Sequence, residues 1–260
     1  MRTLLARLEA RYPWQSLVVD GHEWRWLDTG GPDPATVLLP GSVGDSAMFV
    51  RTLLALGDRQ RLVAVTYPAL ADPTGLARGL AQVASHLALA PHRVVSSSFS
   101  AYWAQFYALH YPANLTALVL GNGFVDGTDL AANPMFDQAF VESISAQELH
   151  AEWLKRVRAA PAAPLQELQE VMLAERQSPM NLQARFLGVV RSRPCPPLPL
   201  PDTAITVLDC DDDPLIPPSV RERLRRQYPG ARHVSMPTGG HYPHVLNPSA
   251  YEALLAEPNP

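Results

Sequence analysis

Short apolar runs alternate with segments of helical spacing along much of the chain. Residues 36–40 (TVLLP) are nearly all apolar and end at Gly41, a pattern typical of a central strand covered on both faces. Further strands are predicted at 61–66, 92–96 and 115–121, and helices at 46–57, 75–89 and 99–111. This alternation predicts a parallel sheet with helices on both sides.

The pattern differs on either side of this region. Upstream, two short runs flank Asp20-Gly21, a dipeptide that favours a two-residue hairpin turn. Downstream of Gly123 only helical patterns occur, with helices predicted to begin at the capping box Ser145-x-x-Glu148 and to cover 165–175 and 182–190. Five prolines in residues 193–202 then exclude a helix and predict a stiff return segment.

The alternation resumes after the prolines, with strands predicted at 204–209 and 233–236 and helices at 217–228 and 248–256. We therefore predict one α/β domain, formed by residues 1–125 and 203–260, with a mostly parallel central sheet of about eight strands. Residues 126–202 are expected to form a helical cap inserted into this domain.

Composition and charge exclude several classes of partner. The chain of 260 residues has 21 Lys and Arg against 25 Asp and Glu, a net charge of −4, so we expect no nucleic-acid partner. No apolar run is long enough to cross a membrane, and Arg7, Glu9 and Arg11 interrupt the start where a signal peptide would be apolar. Cys195 and Cys210 lack the spacing of a disulfide framework, and a cytoplasmic protein is expected.

One strand runs into the next helix through a run of serines. A nucleophile on such a sharp turn needs small residues two positions before and after it, because larger side chains would strike the strand or the helix. Only Ser98 meets this requirement, with Ser96 and Ser100 beside it, while each other serine of the run has a bulky residue at one of these positions. The pattern S-x-S-x-S is equally typical of a helix cap or a solvated turn.

The glycine-containing loop PGSVG follows the first central strand. Such a loop can supply one backbone N–H to a developing oxyanion, while the residue after the nucleophile supplies another, so the predicted donors are the amides of Ser42 and Phe99. Val43, Tyr102 and Trp103 are candidate pocket residues. Tyr102 and Trp103 fit the core of their helix equally well.

An apolar strand near residue 209 ends in the acidic run DCDDD. An acid at the end of a strand can hold a histidine in one tautomer and stabilise its charged form, and we predict Asp213 for this role. Asp211 and Asp212 remain alternatives. The run lacks the glycine and spacing of a calcium loop, so no metal site is expected.

The segment PTGGHYPH follows the last predicted strand. His241 comes directly after two glycines, where an open backbone can bring its ring to the mouth of a pocket. His244 precedes a helix and is expected to face outward. A metal pair formed by these histidines would need a third ligand, which the sequence does not place.

Ser98, Asp213 and His241 each follow a predicted strand and occur in the order typical of an α/β-hydrolase triad. Together with the PGSVG loop, these motifs resemble the α/β-hydrolase family, and within it the maspardin-like proteins, over nearly the whole chain. Serine replaces both glycines of the family's G-x-S-x-G elbow. Some members take the acid from the strand before the cap, which leaves Asp126 as an alternative to Asp213.

The resemblance and the motifs predict a serine hydrolase that cleaves an ester or similar acyl bond of a small, partly apolar molecule. A carbon–carbon hydrolase, a lyase or an acyltransferase could use the same triad. No cofactor is expected, because neither a dinucleotide fingerprint nor a phosphate loop occurs. The alternative implied by the maspardin-like resemblance is a catalytically silent adaptor, and the sequence does not distinguish a monomer from a homodimer.

Overall fold

The computed structural model describes residues 1–257 and contains, within them, one sheet of eight strands in the order β1-β2-β4-β3-β5-β6-β7-β8. The strands are β1 (Gln15–Val19), β2 (His22–Asp28), β3 (Thr36–Leu39), β4 (Leu62–Thr66), β5 (His92–Ser97), β6 (Leu115–Gly121), β7 (Ile205–Cys210) and β8 (Arg232–Met236). Strand β2 is antiparallel to β1 and β4, and all pairs from β4 through β8 are parallel. The predicted mostly parallel α/β sheet is confirmed.

Eleven α-helices lie in the same part of the chain. They are α1 (Arg2–Arg11), α2 (Val50–Leu56), α3 (Pro73–His86), α4 (Phe99–His110), α5 (Gln138–Ser143), α6 (Ala146–Ala159), α7 (Pro164–Val171), α8 (Pro179–Val190), α9 (Pro218–Gln227), α10 (Pro243–Leu246) and α11 (Pro248–Ala256). None of these helices has the length and apolarity needed to cross a bilayer.

The predicted hairpin joins β1 and β2. Asp20 and Gly21 both have positive φ, 50° and 78°, and Val19 pairs with His22. Two consecutive positive φ values are the backbone of the turn that matches strand twist, which explains why Asp-Gly occurs here.

The buried residues of the central strands divide between the two faces of the sheet. In β3, Val37 and Leu39 join the core beneath α3, α4 and α9, whereas Leu38 joins the core beneath α1, α2 and α11. Successive side chains of a strand point to opposite faces, so an all-apolar strand requires a core on both sides.

The segment between β6 and β7 contains α5 to α8. Helix α6 begins at the predicted capping box, in which the Ser145 hydroxyl accepts a hydrogen bond from the Glu148 N–H and the Glu148 carboxylate accepts one from the Ser145 N–H. Helix α7 continues into one π-helical turn at Met172–Arg176. Residues 193–201 form no regular element, as the prolines predict.

Two helical predictions need correction. Helix α1 is absent from the predicted elements. Leu5 and Leu8, three residues apart, lie on one face of this helix and are buried in the core on one side of the sheet. The helix predicted at 46–57 is divided into a 3₁₀ turn at Ser46–Phe49 and helix α2. The Asp45 carboxylate accepts the Ala47 N–H at the start of the 3₁₀ turn.

Candidate active site

Ser98 lies on the sharp turn between β5 and α4. Its φ of 57° and ψ of −122° are strained for a residue with a side chain, and its N–H donates to the Gly121 carbonyl of the neighbouring strand at 2.8 Å. The side chain stays partly exposed at the carboxyl edge of the sheet. This backbone conformation keeps the Ser98 side chain out of the hydrophobic core.

The serines that replace the two elbow glycines are buried and hydrogen-bonded. Ser96 donates to the Val119 carbonyl of β6 at 2.7 Å, and Ser100 donates to the Leu39 carbonyl of β3 at 2.8 Å. Ser100 Oγ also accepts the Ser97 N–H at 2.8 Å. Both hydroxyls therefore find backbone partners, which removes the cost of burying a polar group at these tightly packed positions.

The loop after β3 passes close to Ser98. A Cβ atom added to Gly41 would lie 3.1 Å from Ser98 Cβ, so a side chain at this position would crowd the serine. Ser42 follows directly. Phe99 is the first residue of α4, so its N–H belongs to the helix end that lacks carbonyl partners within the helix.

Asp213 and His241 are in direct contact. Asp213 Oδ2 lies 2.8 Å from His241 Nδ1, and Asp213 Oδ1 accepts the N–H groups of Leu215 and Ile216 at 2.7 and 3.2 Å. Both side chains are buried. Because both carboxylate oxygens are occupied, the carboxylate holds one orientation and fixes the imidazole with Nε2 free.

The backbone before His241 is held independently of its ring. Asp212 accepts the N–H groups of Gly239 and Gly240 at 3.3 and 2.8 Å, and Asn122 Nδ2 donates to the Gly240 carbonyl at 2.8 Å. Asn122 follows Gly121, which binds the Ser98 N–H. The end of β6 thus links the serine turn to the histidine loop.

Within residues 1–257, Ser98 Oγ itself makes no hydrogen bond.

The other acids considered from the sequence face elsewhere. Asp126 caps the turn at Gly127–Leu130 by accepting from Thr128, and it lies 3.7 Å from Arg193 and 3.9 Å from Arg223. Asp211 is exposed and pairs with Arg221. The carboxylate that contacts His241 is that of Asp213.

His244 is buried, which contradicts the expectation that it faces outward. Helix α10 packs against α2 and α11, and this places the His244 ring 4.7 Å from the Phe49 ring and 5.7 Å from the Tyr251 ring. Neither ring nitrogen has a hydrogen-bond partner. Burial, assisted by nearby His241, lowers the pKa of His244 to about 3.

The three candidate pocket residues are buried. Tyr102 stacks on the Phe124 ring at 5.7 Å, Trp103 meets the Tyr67 ring edge-on at 5.2 Å, and Val43 joins the same core. An apolar cavity of about 320 Å³ beside His241 is lined by other residues.

This cavity lies between the histidine loop and the helices that follow β6. Pro214, Leu215 and His241 line one side, and Trp153 and Val157 of α6 line the other. Arg156 is the charged side chain in its wall. Within residues 1–257, no group of three or more His, Cys, Asp or Glu side chains is placed to hold a metal ion.

Comparison with known proteins identifies the family. The sequence model described as "Alpha/beta hydrolase family" matches residues 36–256. This match spans strands β3 to β8 and the helices between β6 and β7. The chain belongs to the alpha/beta hydrolase family.

Similar family members have different descriptions. Human maspardin is 24% identical over 249 residues, covering 90% of this chain and 79% of maspardin. The putative carbamate hydrolase RutD of Escherichia coli (strain K12 / DH10B) is 25% identical over 243 residues, covering 85% of this chain and 90% of RutD. A solved thermophilic esterase from Thermogutta terrifontis superposes with a TM-score of 0.74 at 22% identity, covering 93% and 96% of the two chains, and this likeness shows the fold.

Three residues that hold the site were not found from the sequence. Asn122 follows β6 in the segment LGNG, where a polar residue at a strand end was the available signal. Arg185 and Gln177 bind backbone groups of residues 41–44 from more than 130 positions away. No pattern within their own helical segment indicates that contact.

Proposed function

We propose that this alpha/beta hydrolase cleaves an ester or similar acyl bond through Ser98, His241 and Asp213. The observation that carries the proposal is the buried Asp213–His241 pair, at the same sheet edge as a serine held at positive φ. A buried carboxylate on Nδ1 leaves Nε2 as the proton acceptor, which is what a serine nucleophile needs.

In the proposed reaction, Ser98 Oγ attacks the carbonyl carbon and His241 Nε2 takes the hydroxyl proton. The carbonyl oxygen becomes negatively charged and is stabilised by the N–H groups of Ser42 and Phe99. Collapse of the tetrahedral intermediate expels the alcohol, which receives the proton from His241. A water molecule, activated by the same imidazole, then releases the acid from Ser98.

The proposed substrate is small and partly apolar. The cavity beside His241 has walls of Leu215, Trp153 and Val157, which suit an aliphatic or aromatic group, with Arg156 as the cation. The names of the esterase and of the putative carbamate hydrolase support hydrolysis of a carbonyl bond to oxygen or nitrogen. In this proposal residues 126–202 form a cap that roofs the cavity and excludes water.

Labelling with a fluorophosphonate tests the proposal directly. The wild-type chain is expected to form a covalent adduct, and Ser98→Ala is expected to abolish it. Ser97→Ala is the matched control, because Ser97 belongs to the same serine run but not to the proposed triad. Equal absence of labelling in wild type and Ser98→Ala would contradict the proposed enzyme.

A chain-length series of 4-nitrophenyl esters then measures the cavity. We expect kcat/KM to rise with acyl length until the cavity is filled and to fall beyond that length, because each buried methylene contributes roughly 0.8 kcal/mol. Ser98→Ala should lower turnover on the order of 10⁴-fold or more.

A second candidate function is that of a catalytically silent binding protein. The similarity to maspardin, at 24% identity over 90% of this chain, favours this alternative. It predicts that neither the phosphonate nor any ester reacts at Ser98, so the same labelling experiment decides between the two functions.

A further inference from the structure

Arg185 of α8 reaches into the main body of the protein and binds the loop after β3. One guanidinium nitrogen donates to the carbonyls of Gly41 and Gly44 at 2.9 and 2.7 Å, and the other donates to the Tyr67 carbonyl at 3.2 Å. The guanidinium carbon lies 3.9 Å from the centre of the Tyr67 ring. The first nitrogen also donates to the Ser42 carbonyl at 3.4 Å, so a single side chain holds four carbonyls and one aromatic face.

This arginine is fully buried, and within residues 1–257 no carboxylate lies within 4 Å of it. Burial lowers the pKa of Arg185, and the nearby Tyr67 and Asp45 oppose that shift. Burying a cation without a direct carboxylate partner is costly. Backbone carbonyls replace the solvation of its two terminal nitrogens, while its buried Nε has no hydrogen-bond partner within residues 1–257. Because Arg185 has no exposed surface in this state, any effect on a substrate would pass through the groups that it holds.

The orientation of one peptide bond connects Arg185 to the proposed oxyanion donor. The carbonyl of Gly41 and the N–H of Ser42 belong to the same trans peptide, so they point in opposite directions. Both Arg185 and the Tyr67 hydroxyl, at 2.8 Å, donate to the Gly41 carbonyl. This fixes the Ser42 N–H on the opposite side of the loop.

That carbonyl is also polarised by its two donors. A hydrogen bond to the oxygen of a peptide makes the N–H of the same peptide a stronger donor, and the effect is larger when the bond comes from a charged group. Gly41 itself approaches Ser98 so closely that an added Cβ would lie 3.1 Å from Ser98 Cβ. The oriented peptide therefore adjoins the reacting serine.

We propose that Arg185 is a positioning residue that orients and polarises the Gly41–Ser42 peptide as an oxyanion donor. This inference rests on the hydrolase function proposed above. Since Arg185 lies in the segment between β6 and β7, the proposed cap would contribute to transition-state stabilisation as well as covering the cavity.

Steady-state kinetics on 4-nitrophenyl butyrate test this role, with kcat normalised to the active sites titrated by a fluorophosphonate. We expect Arg185→Met to lower kcat by about 10- to 100-fold with little change in KM, because the lost interaction acts on the transition state. Arg185→Lys should recover part of the loss. Gln183→Ala is the matched control, because Gln183 also lies on α8 and donates to a backbone carbonyl, that of Ile144, but does not bind the loop at Gly41.

Tyr67→Phe supplies a second variant in case Arg185→Met does not fold. It removes one donor to the Gly41 carbonyl and keeps the ring on which Arg185 stacks, so kcat should fall severalfold at unchanged KM. A thionoester substrate adds a specific readout. Sulfur is a weaker acceptor than oxygen, so both variants should lose less activity on the thionoester than on the ester.

The outcomes separate the two proposals. If Ser98-dependent turnover is present but the folded variants of Arg185 and Tyr67 keep wild-type kcat, the positioning role is overturned and the hydrolase remains. An equal loss on ester and thionoester, or an equal loss in Gln183→Ala, likewise overturns it and indicates general destabilisation. If the wild-type chain has no Ser98-dependent turnover or labelling, both proposals are overturned.

Discussion

The two sides of the candidate site are held by different parts of the chain. On the histidine side, comprising Asp212, Asp213 and residues 239–241, the contacts join the loops that follow β7 and β8, two neighbouring strands. On the loop side, comprising residues 40–44, Gln177 and Arg185 bind the backbone from the helical segment between β6 and β7.

The two sides of the site are therefore organised differently, one by contacts between neighbouring strand ends and the other by contacts from a distant helical segment. The histidine side uses acidic residues at strand ends, and its geometry follows from the sheet alone. The loop side presents carbonyls and N–H groups whose direction depends on a distant helical segment as well as on Tyr67, which follows β4. We therefore expect changes on the histidine side to affect proton transfer, and changes on the loop side to affect both transition-state binding and the packing of the helical segment on the sheet.

The largest expected effect is on the histidine side. Asp213→Asn should lower kcat by about 10⁴-fold, because an amide no longer holds the tautomer that leaves His241 Nε2 as acceptor. The amide oxygen of the substituted side chain can still accept the N–H groups of the partly buried Leu215 and the buried Ile216, so circular dichroism and Tm should change little. Asp126→Asn is the control, and a comparable loss there would assign the acid to Asp126.

The buried His244 should make the histidine side sensitive to acid. Burial lowers its pKa to about 3, below the usual value of about 6.5, so below about pH 6.5 the unfolded chain takes up a proton that the folded chain does not. Stability must then fall as the pH falls through this range. Between about pH 7 and 4, the wild-type chain should lose about 3 kcal/mol more than His244→Phe.

Urea unfolding at several pH values measures this difference. The exposed His110 supplies the control, and His110→Gln should leave the slope of stability against pH unchanged. The rings around His244 belong to Phe49, Tyr242 and Tyr251, so phenylalanine enters an aromatic environment. Parallel pH profiles for wild type and His244→Phe would contradict the prediction.

A smaller effect is expected from Gln177 on the loop side. Its side chain accepts the Gly44 N–H at 2.7 Å and donates to the Ser42 carbonyl at 2.8 Å. Gln177→Leu therefore leaves the Gly44 N–H without this acceptor and the Ser42 carbonyl with only the longer bond from Arg185, at 3.4 Å. We expect a loss of about 2 kcal/mol in unfolding free energy. Gln166→Leu, a change at a glutamine that contacts Glu170 on α7, should be nearly neutral. Equal stabilities would weaken the assigned role of the loop contacts.

The smallest expected effect concerns the serine turn between the two sides. Ser100→Ala should cost about 1 kcal/mol, because its hydroxyl joins the Leu39 carbonyl to the Ser97 N–H. Ser96→Ala removes one donor only and should cost less. Thermal unfolding of the two variants side by side measures the difference, and a larger loss in Ser96→Ala would reverse this ranking.

Much of the fold could be predicted because strand and helix periods are local properties. Three local sequence features each predict a local geometry that is present in the structure. They are the Asp20-Gly21 turn, the apolar run of β3 and the capping box at Ser145. Helix α1 was missed because its two buried leucines, Leu5 and Leu8, lie in a segment in which four of ten residues are charged. Its helical character depends on packing against the sheet.

The sequence by itself determined the order of the strands along the chain and the polar residues that follow them, Ser98, Asp213 and His241 among them. Only the tertiary structure decided which acid contacts the histidine, that His244 is buried, and that Arg185 binds the loop at Gly41. The reason is that hydrophobic period and turn chemistry act between near neighbours. A contact between residues 144 positions apart depends instead on how whole elements pack.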